Sequence, residues 1–356
     1  MSDKPIRLAF VGVDHPHGAH WRQQLANVAE QAQIVALVPS YCGGLTSLEE
    51  RYAHLPRFES VAELLAGADF DAAVVALSNR TGPAAIAELA SAGKHVLAEK
   101  PAAGSAVEAK AIVTAVEASG IAFQTGYMWR YDEGANRLRS MVSQGQFGKL
   151  ISVEMSFITS DVRRRGPEHY LFDPTESGGG FFSWLACHFL DLLPYVTQQA
   201  IVGVTARTGV FGATPTEVED GGVVILDLAG GGIATFLGGY WLPRWAGESS
   251  WNIRGSERWL RWDPSRKGTG GHFEIHGPMP QWHAMEESFS VAEDKTPGYG
   301  GARGLALVSD WLDCIRSGRR DCRNTVRSLL AVVELIDMIY AASREGRRIE
   351  CQIGPC

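Results

Sequence analysis

No Cys-x-x-Cys pair occurs in this chain, and its six cysteines, Cys42, Cys187, Cys314, Cys322, Cys351 and Cys356, have no metal-finger spacing. That argues against a zinc ribbon or a thioredoxin-type redox pair, and leaves buried or inert thiols in a reducing compartment. A long apolar run is missing too, so no segment reads as a membrane span. Residues 1–5 lead straight into an apolar strand and contain no signal-peptide core. A cytoplasmic location is the expectation from these absences. There is no excess of positive charge, with 33 Lys and Arg against 40 Asp and Glu and a formal net charge of −7. Nucleic acid and anionic membrane are therefore not expected partners. Internal repeats and low-complexity tracts are absent. The chain is nevertheless long enough, at 356 residues, for two domains with separate cores.

The first third alternates short apolar strands with helices. Strands are expected at 6–11, 34–38, 71–77, 95–98 and 122–126, and helices at 18–30, 60–67, 83–92 and 105–119. Ser60 offers a helix N-cap, and Gly93 and Gly120 offer C-caps. This pattern predicts a doubly wound parallel sheet in an α/β domain over 1–127. After one more helix at 132–144 the character changes. Strands expected at 150–159, 201–209, 222–228, 233–241 and 251–262 are joined by turns, with Gly230-Gly231-Gly232 as a hairpin. Two late helices, 305–317 and 325–345, close the chain, with Asn324 a candidate cap and Gly346 a stop. Residues 266–301, rich in Gly and Pro, read as loop. The expectation is an α+β domain over 128–356 with an open antiparallel sheet.

A dinucleotide-binding fold normally carries Gly-x-Gly-x-x-Gly after its first strand, where the glycines let a pyrophosphate approach a helix N-terminus. The corresponding run is Gly12-Val13-Asp14-His15-Pro16-His17-Gly18. Only the first glycine is in place. Three readings stay open: a dinucleotide bound in altered geometry by Gly12, Asp14, His15 and His17; a structural loop with Asp14 as helix cap; or a metal held by Asp14, His15, His17 and His20. The acid that selects NAD should follow Val38, where Pro39 and Ser40 stand instead. A 2′-phosphate is thus not excluded, and Ser40 could donate to it. Ser78 and Asn79 end the third strand, and Asn79 could bond a ribose or cap the next helix.

Two further stretches carry chemistry. Gly93-Lys94-His95-Val96-Leu97-Ala98-Glu99-Lys100-Pro101 places Glu99 and Lys100 at the carboxyl end of a strand, which borders the ligand crevice of an open parallel sheet. Gly178-Gly179-Gly180 precedes a helix with Trp184, His188 and Asp191. On an α-helix, residues 184 and 188 would sit one turn apart on one face. Taken alone, His188 is either a proton carrier or a satisfied core histidine. Both stretches resemble the Gfo/Idh/MocA oxidoreductases, an NAD(P)-binding Rossmann domain joined to a mostly antiparallel substrate domain. The likeness extends over nearly the whole chain, including Arg130 and the closing helices.

The resemblance implies a cofactor, NAD or NADP, held by Gly12, Asp14, His15, His17, Ser40, Ser78, Asn79, Glu99 and Lys100. It implies catalysis by Lys100 and His188, with Arg130, Trp184 and Asp191 lining a small-molecule site and no catalytic metal. The implied reaction moves hydride to or from a sugar, polyol or related small polar molecule. Trp184 stands where the family has Asp, and Gly82 where it has His. These replacements support a rival reading, a catalytically inactive dinucleotide- or ligand-binding sensor or partner protein. Trp241, Trp245, Trp251, Trp259 and Trp262 either line a stacking site or cover a sheet face that pairs subunits, giving a homodimer or homotetramer.

Overall fold

A computed structural model describes residues 4–40, 52–243, 246–278 and 285–355. The chain divides into two compact units. The first holds residues 1–131 and 295–330, and the second holds 132–294 and 331–356. The late return of 295–330 to the first unit differs from the contiguous second domain expected over 128–356. Its reason lies in helix Ala302–Ser317, whose Leu307, Val308, Trp311 and Leu312 belong to the same buried core as Leu8, Phe10 and Trp21.

The first unit contains a parallel sheet of β1 (Ile6–Val11), β2 (Ala32–Val38), β3 (Ala72–Val75), β4 (His95–Ala98) and β5 (Phe123–Thr125), ordered β2-β1-β3-β4-β5. β3 is buried at all four positions, as a strand covered on both faces must be. A single parallel bridge from Leu37 to Arg57 places chain outside β2, where the third strand of the 3-2-1-4-5-6 Rossmann order lies. Helix termini follow local chemistry. Ser60 accepts from Glu63 N and Ser105 from Glu108 N, and each Glu carboxylate accepts in return from the backbone N–H just before the cap, Glu59 N and Gly104 N.

Among the described residues the second unit is built on nine strands, β6 (Leu150–Ser160), β7 (Ile201–Gly209), β8 (Gly221–Leu228), β9 (Ile233–Leu242), β10 (Gly247–Gly255), β11 (Trp259–Asp263), β12 (His272–His276), β13 (Met285–Ser290) and β14 (Ile349–Ile353), ordered β13-β12-β11-β10-β6-β9-β8-β7-β14. Neighbours are antiparallel apart from β6 (Leu150–Ser160) against β9 (Ile233–Leu242), which run parallel. The strand expected over 251–262 is a hairpin of β10 (Gly247–Gly255) and β11 (Trp259–Asp263), closed where Gly255 N donates to Arg258 O. The expected loop at 266–301 contains β12 (His272–His276) and β13 (Met285–Ser290). Phe273 and Ile275 alternate inward, a short signal that the surrounding glycines mask. Ala229 to Gly232 does form the β8–β9 turn.

The tryptophans do not act as one cluster. Trp251 and Trp262 are buried on the covered face, where Phe189 meets Trp251 at 5.2 Å. Trp259 is half exposed and stacks on His276 at 3.5 Å; Trp245 lies outside the described residues. Besides Trp259, exposed apolar residues on this sheet include Ile151, Val223, Ile225, Ile233 and Leu237. Asn324 does not cap the last helix: its amide donates to Thr125 O and Tyr127 O, and the Thr325 hydroxyl accepts from Ser328 N. No helix among the described residues is long and apolar enough to cross a membrane.

Two left-handed glycines give a test of this packing. Gly12 has φ +77, and a Cβ there would fall 2.0 Å from Ala76 O; Gly93 has φ +74 with nothing within 4 Å. Gly93→Ala should cost about 1 kcal/mol, the left-handed penalty alone. Gly12→Ala should cost at least twice as much, because the β1–β3 backbone must also move. Urea denaturation of both variants checks the order.

Candidate active site

The carboxyl ends of β1, β3 and β4 meet in the first unit, and Glu99 is their focus. It follows β4, with its backbone N–H on Val75 O. Its side chain is fully buried, and Trp21 Nε1 donates to Oε2 at 2.5 Å. Oε1 receives the Tyr299 hydroxyl at 3.4 Å and lies 3.5 Å from His17 Nδ1, an ion-pair distance without hydrogen-bond alignment. Lys100 Nζ is 3.9 Å from the same oxygen, and Lys100 is itself buried. Burial alone would raise the Glu99 carboxyl. The charge and contact of His17, with Lys100 and His15 behind it, outweigh that and bring it down to about 2. Gly126 leaves room for the lysine stem, since a Cβ there would stand 3.2 Å from Lys100 Cγ.

Trp21 is one helical turn after His17, so both face Glu99 from helix Gly18–Ala26. Tyr299 comes from a glycine-flanked strap tied to the same helix. Gln24 Nε2 donates to Tyr299 O and Gly301 O, and Tyr299 N donates to His20 O. The His17 and Tyr299 rings lie 4.9 Å apart.

The first turn closes without the usual second and third glycines. Gly18 takes over the close approach, because a Cβ there would sit 2.5 Å from Val13 O. His15 is buried, and its Nδ1 accepts from His17 N at 3.0 Å. Burial holds its imidazole neutral, with the pKa down to about 3. Asp14 is not the helix cap: the helix starts from His17, with no side-chain cap. Its Oδ1 instead accepts from Ser40 N at 2.7 Å. Asn79 is not a cap either; Ser78 Oγ accepts from Thr81 N before the next helix. Both Ser78 and Asn79 are buried at the end of β3. The turn thus fits a dinucleotide, tight at Gly12 and Gly18 and with the Asp14 carboxylate drawn to the end of β2. Among the described residues no group of three or more His, Cys, Asp or Glu side chains could hold a metal ion. Arg130 is buried in the first unit, where Arg323 Nη1 donates to its carbonyl at 2.8 Å.

In the second unit Trp184, His188 and Asp191 lie on one element and are all buried. It begins as a π turn, Phe182–Ala186, and continues as helix Cys187–Thr197. Trp184 is inside the wide turn and His188 beyond it, so the expected α-helical spacing of the pair is widened; such turns recur at functional sites. The Trp184 indole meets Tyr170 edge-on at 5.5 Å. In the triglycine, Gly178 is a left-handed helix C-cap, and Gly179 and Gly180 are explained by packing. A Cβ on Gly179 would stand 2.3 Å from the Tyr340 hydroxyl, and one on Gly180 would stand 1.8 Å from Glu219 O. The Glu219 carboxylate accepts from Gly180 N at 2.7 Å, Phe182 N at 2.9 Å and the Tyr340 hydroxyl at 3.0 Å. Burial nonetheless pushes its pKa up to about 7.

Residues 6–127 match the model of the oxidoreductase family's NAD-binding Rossmann fold, and 135–261 match the GFO/IDH/MocA C-terminal domain. The chain belongs to the Gfo/Idh/MocA oxidoreductase family. Its first unit is that family's NAD-binding domain. An uncharacterized oxidoreductase, YrbE of Bacillus subtilis, is 28% identical over 41% of this chain and 40% of its own length. Inositol 2-dehydrogenase 1 of Saccharopolyspora erythraea is 28% identical over 64% of this chain and 65% of its own. The match thus spans only about 40% of the length of the first of these relatives. In fold, the WlbA dehydrogenase of Bordetella pertussis, solved with NADH and UDP-GlcNAcA, superposes with a TM-score of 0.81 at 22% identity over 99% of both chains.

Of the family positions expected from the sequence, His15, His17, Glu99 and Lys100 converge on one cluster, and Asp14 and Ser40 form a second contact. Trp21 and Glu219 were missed. Trp21 was legible four residues after His17; Tyr299, 200 positions from its partner Glu99, had no local signal.

The two buried carboxyls should give opposite pH dependences. Glu99 titrates below the ordinary 4.5, so its stabilisation, on the order of 3 kcal/mol, is present above pH 4.5 and lost as pH falls toward 2. Glu219 titrates above 4.5, so stability is greatest below that pH and falls as pH rises through about 7. Urea midpoints between pH 3 and 8 should show Glu99→Gln removing an acid-side loss and Glu219→Gln removing a loss on the neutral side.

Proposed function

We propose that the protein is an NAD(P)-dependent oxidoreductase that transfers hydride to or from the carbinol or carbonyl carbon of a sugar, polyol or related small polar molecule. The observation that carries this reading is Lys100, buried beside the Glu99 carboxylate at the end of β4, within a family NAD-binding domain. A buried lysine is costly unless its charge is used or paired, and at this strand end it faces the ligand crevice of the fold. Bound nicotinamide supplies or accepts the hydride. In the oxidation direction His188 takes the hydroxyl proton, and Lys100 lends positive charge to the oxygen as it becomes a carbonyl. In the second unit Trp184 meets Tyr170 edge-on and Asp191 lies on the same helix as His188.

Trp184 sets the substrate preference. An indole cannot accept a hydrogen bond and gives an apolar wall where the family's Asp would bind a hydroxyl. Inositol and glucose should therefore turn over weakly or not at all, and a less hydroxylated or ring-stacking substrate should do better. Nicotinamide absorbance across polyols, aldoses and keto-sugars tests this, and rapid inositol oxidation would refute the account of the pocket. With the best substrate, Lys100→Met and His188→Ala should each lower kcat at least about 100-fold. Activity surviving both would place the chemistry elsewhere. Nucleotide binding without turnover on any substrate would favour the sensor reading.

The second unit's open sheet face supports self-association. Val223 and Leu237 pair across β8 and β9, and both are more than 40% exposed, as is Ile233. Such an apolar face is stabilised by a covering partner, at about 25 cal/mol per Å². Sedimentation at micromolar concentration should give a dimer or tetramer, and Leu237→Arg should shift it toward monomer.

A further inference from the structure

We infer that Glu219 is a positioning residue for the proposed reaction: from outside, it clamps the turn that carries Trp184 and leads to His188. This rests on the reading above, in which His188 takes the proton and Trp184 sets the substrate preference. The turn has no clamp of its own. The π turn Phe182–Ala186 starts from Phe181 and the helix Cys187–Thr197 from Ala186, neither with a side-chain cap. The start of a helical element leaves backbone N–H groups to be satisfied from elsewhere. Glu219 satisfies those of Gly180, Phe181 and Phe182. Its side chain accepts from Gly180 N at 2.7 Å and Phe182 N at 2.9 Å, and its backbone carbonyl accepts from Phe181 N at 3.3 Å. The bond at Phe182 reaches furthest. The Phe182 carbonyl receives Cys187 N, the bond that makes the turn wide. Cys187 is the residue before His188, so holding Phe182 fixes the backbone from which the His188 side chain projects.

The clamp depends on a proton. The donors to Glu219 are all neutral: two backbone N–H groups and the hydroxyl of Tyr340 from the last helix, which lies 3.0 Å from Oε1 and 3.4 Å from Ser183 Oγ. Tyr240 on β9 is the other titratable group that feels its charge, and Tyr240 in turn feels Arg165, Arg164 and Cys187. Among the described residues no Lys, Arg or His side chain is a partner of Glu219. A carboxyl buried among neutral donors keeps its proton to about pH 7. The protonated acid gives up neither backbone bond, since its hydroxyl donates to Tyr340 and Tyr340 turns to Ser183. Ionisation leaves an uncompensated charge in the same place. The turn is therefore held firmly below about pH 7 and loosens as the pH rises through that value.

Hydrogen exchange of residues 180–188 and steady-state turnover, compared between the whole wild-type protein and Glu219→Gln at pH 6 and pH 8, test the inference. The Gln side chain is uncharged at both values, and any titration of His188 is shared by the two proteins and cancels in their ratio. From pH 6 to pH 8, exchange in the wild type relative to the variant should speed up at least about threefold, and relative kcat should fall at least about threefold. Nucleotide affinity should not change. Glu219→Ala deletes both side-chain bonds and should lower kcat at least about tenfold at pH 6, as misplacement of a reacting group does. If the variants fold poorly, the wild type alone decides: protection of 180–188 should drop between pH 6 and pH 8 relative to β6 in the same unit. Unchanged kcat in a folded Glu219→Ala, ratios that do not move with pH, or wild-type protection that keeps pace with β6 would overturn the role of Glu219 while leaving the reading of the reaction intact. Nucleotide binding by the wild type without turnover on any substrate would overturn the reaction and this role with it.

Discussion

The first unit depends on a carboxylate that water does not reach. Glu99 sits at the tip of β4 with Trp21, His17, Tyr299 and Lys100 around it. A lone buried carboxylate would be protonated or expelled. This one stays ionised because donors and cations come from three separate parts of the chain. The consequence is mutual: Glu99 fixes the first helix through Trp21, fixes the 297–301 strap through Tyr299, and gives Lys100 a counter-charge. The strap in turn adds polar ties to the late segment, whose helix Ala302–Ser317 is packed into the core of the Rossmann unit. A polar cluster of this kind is stable only when all members are present.

A second carboxylate has a comparable part in the other unit. Glu219 holds the backbone of Gly180 and Phe182 from one side and the Tyr340 hydroxyl from the other. It thereby sets the start of the turn that delivers Trp184 and then His188. Gly179 and Gly180 carry no side chain because the Tyr340 hydroxyl and the Glu219 backbone come too close, and Gly178 ends the short helix Pro174–Ser177 with a left-handed φ of +69.

The departures from the family's glycine pattern fit this arrangement. His17, in place of the third glycine, is a partner of Glu99. Asp14, in place of the second, bonds across to Ser40. Gly18 supplies the close backbone approach one position later. The loop has redistributed its glycine requirement while keeping the turn closed, which is how a Rossmann unit persists without the usual signature.

The sequence by itself determined the βα alternation, the helix caps at Ser60 and Ser105, the mostly antiparallel second sheet, and the place of Lys100 at a strand end and of His188 on a helix, because periodicity, caps and strand-end motifs are local properties. The hairpin at Gly255 and the strands within 266–301 escaped it, since short strands between glycines carry little periodic signal. Only the tertiary structure decided that Tyr299 meets Glu99, that Glu219 holds Gly180 and that Asp14 reaches Ser40. These contacts join residues that neither helical nor strand period relates. Their energies come from burial and from charges that do not exist as neighbours until the chain has folded.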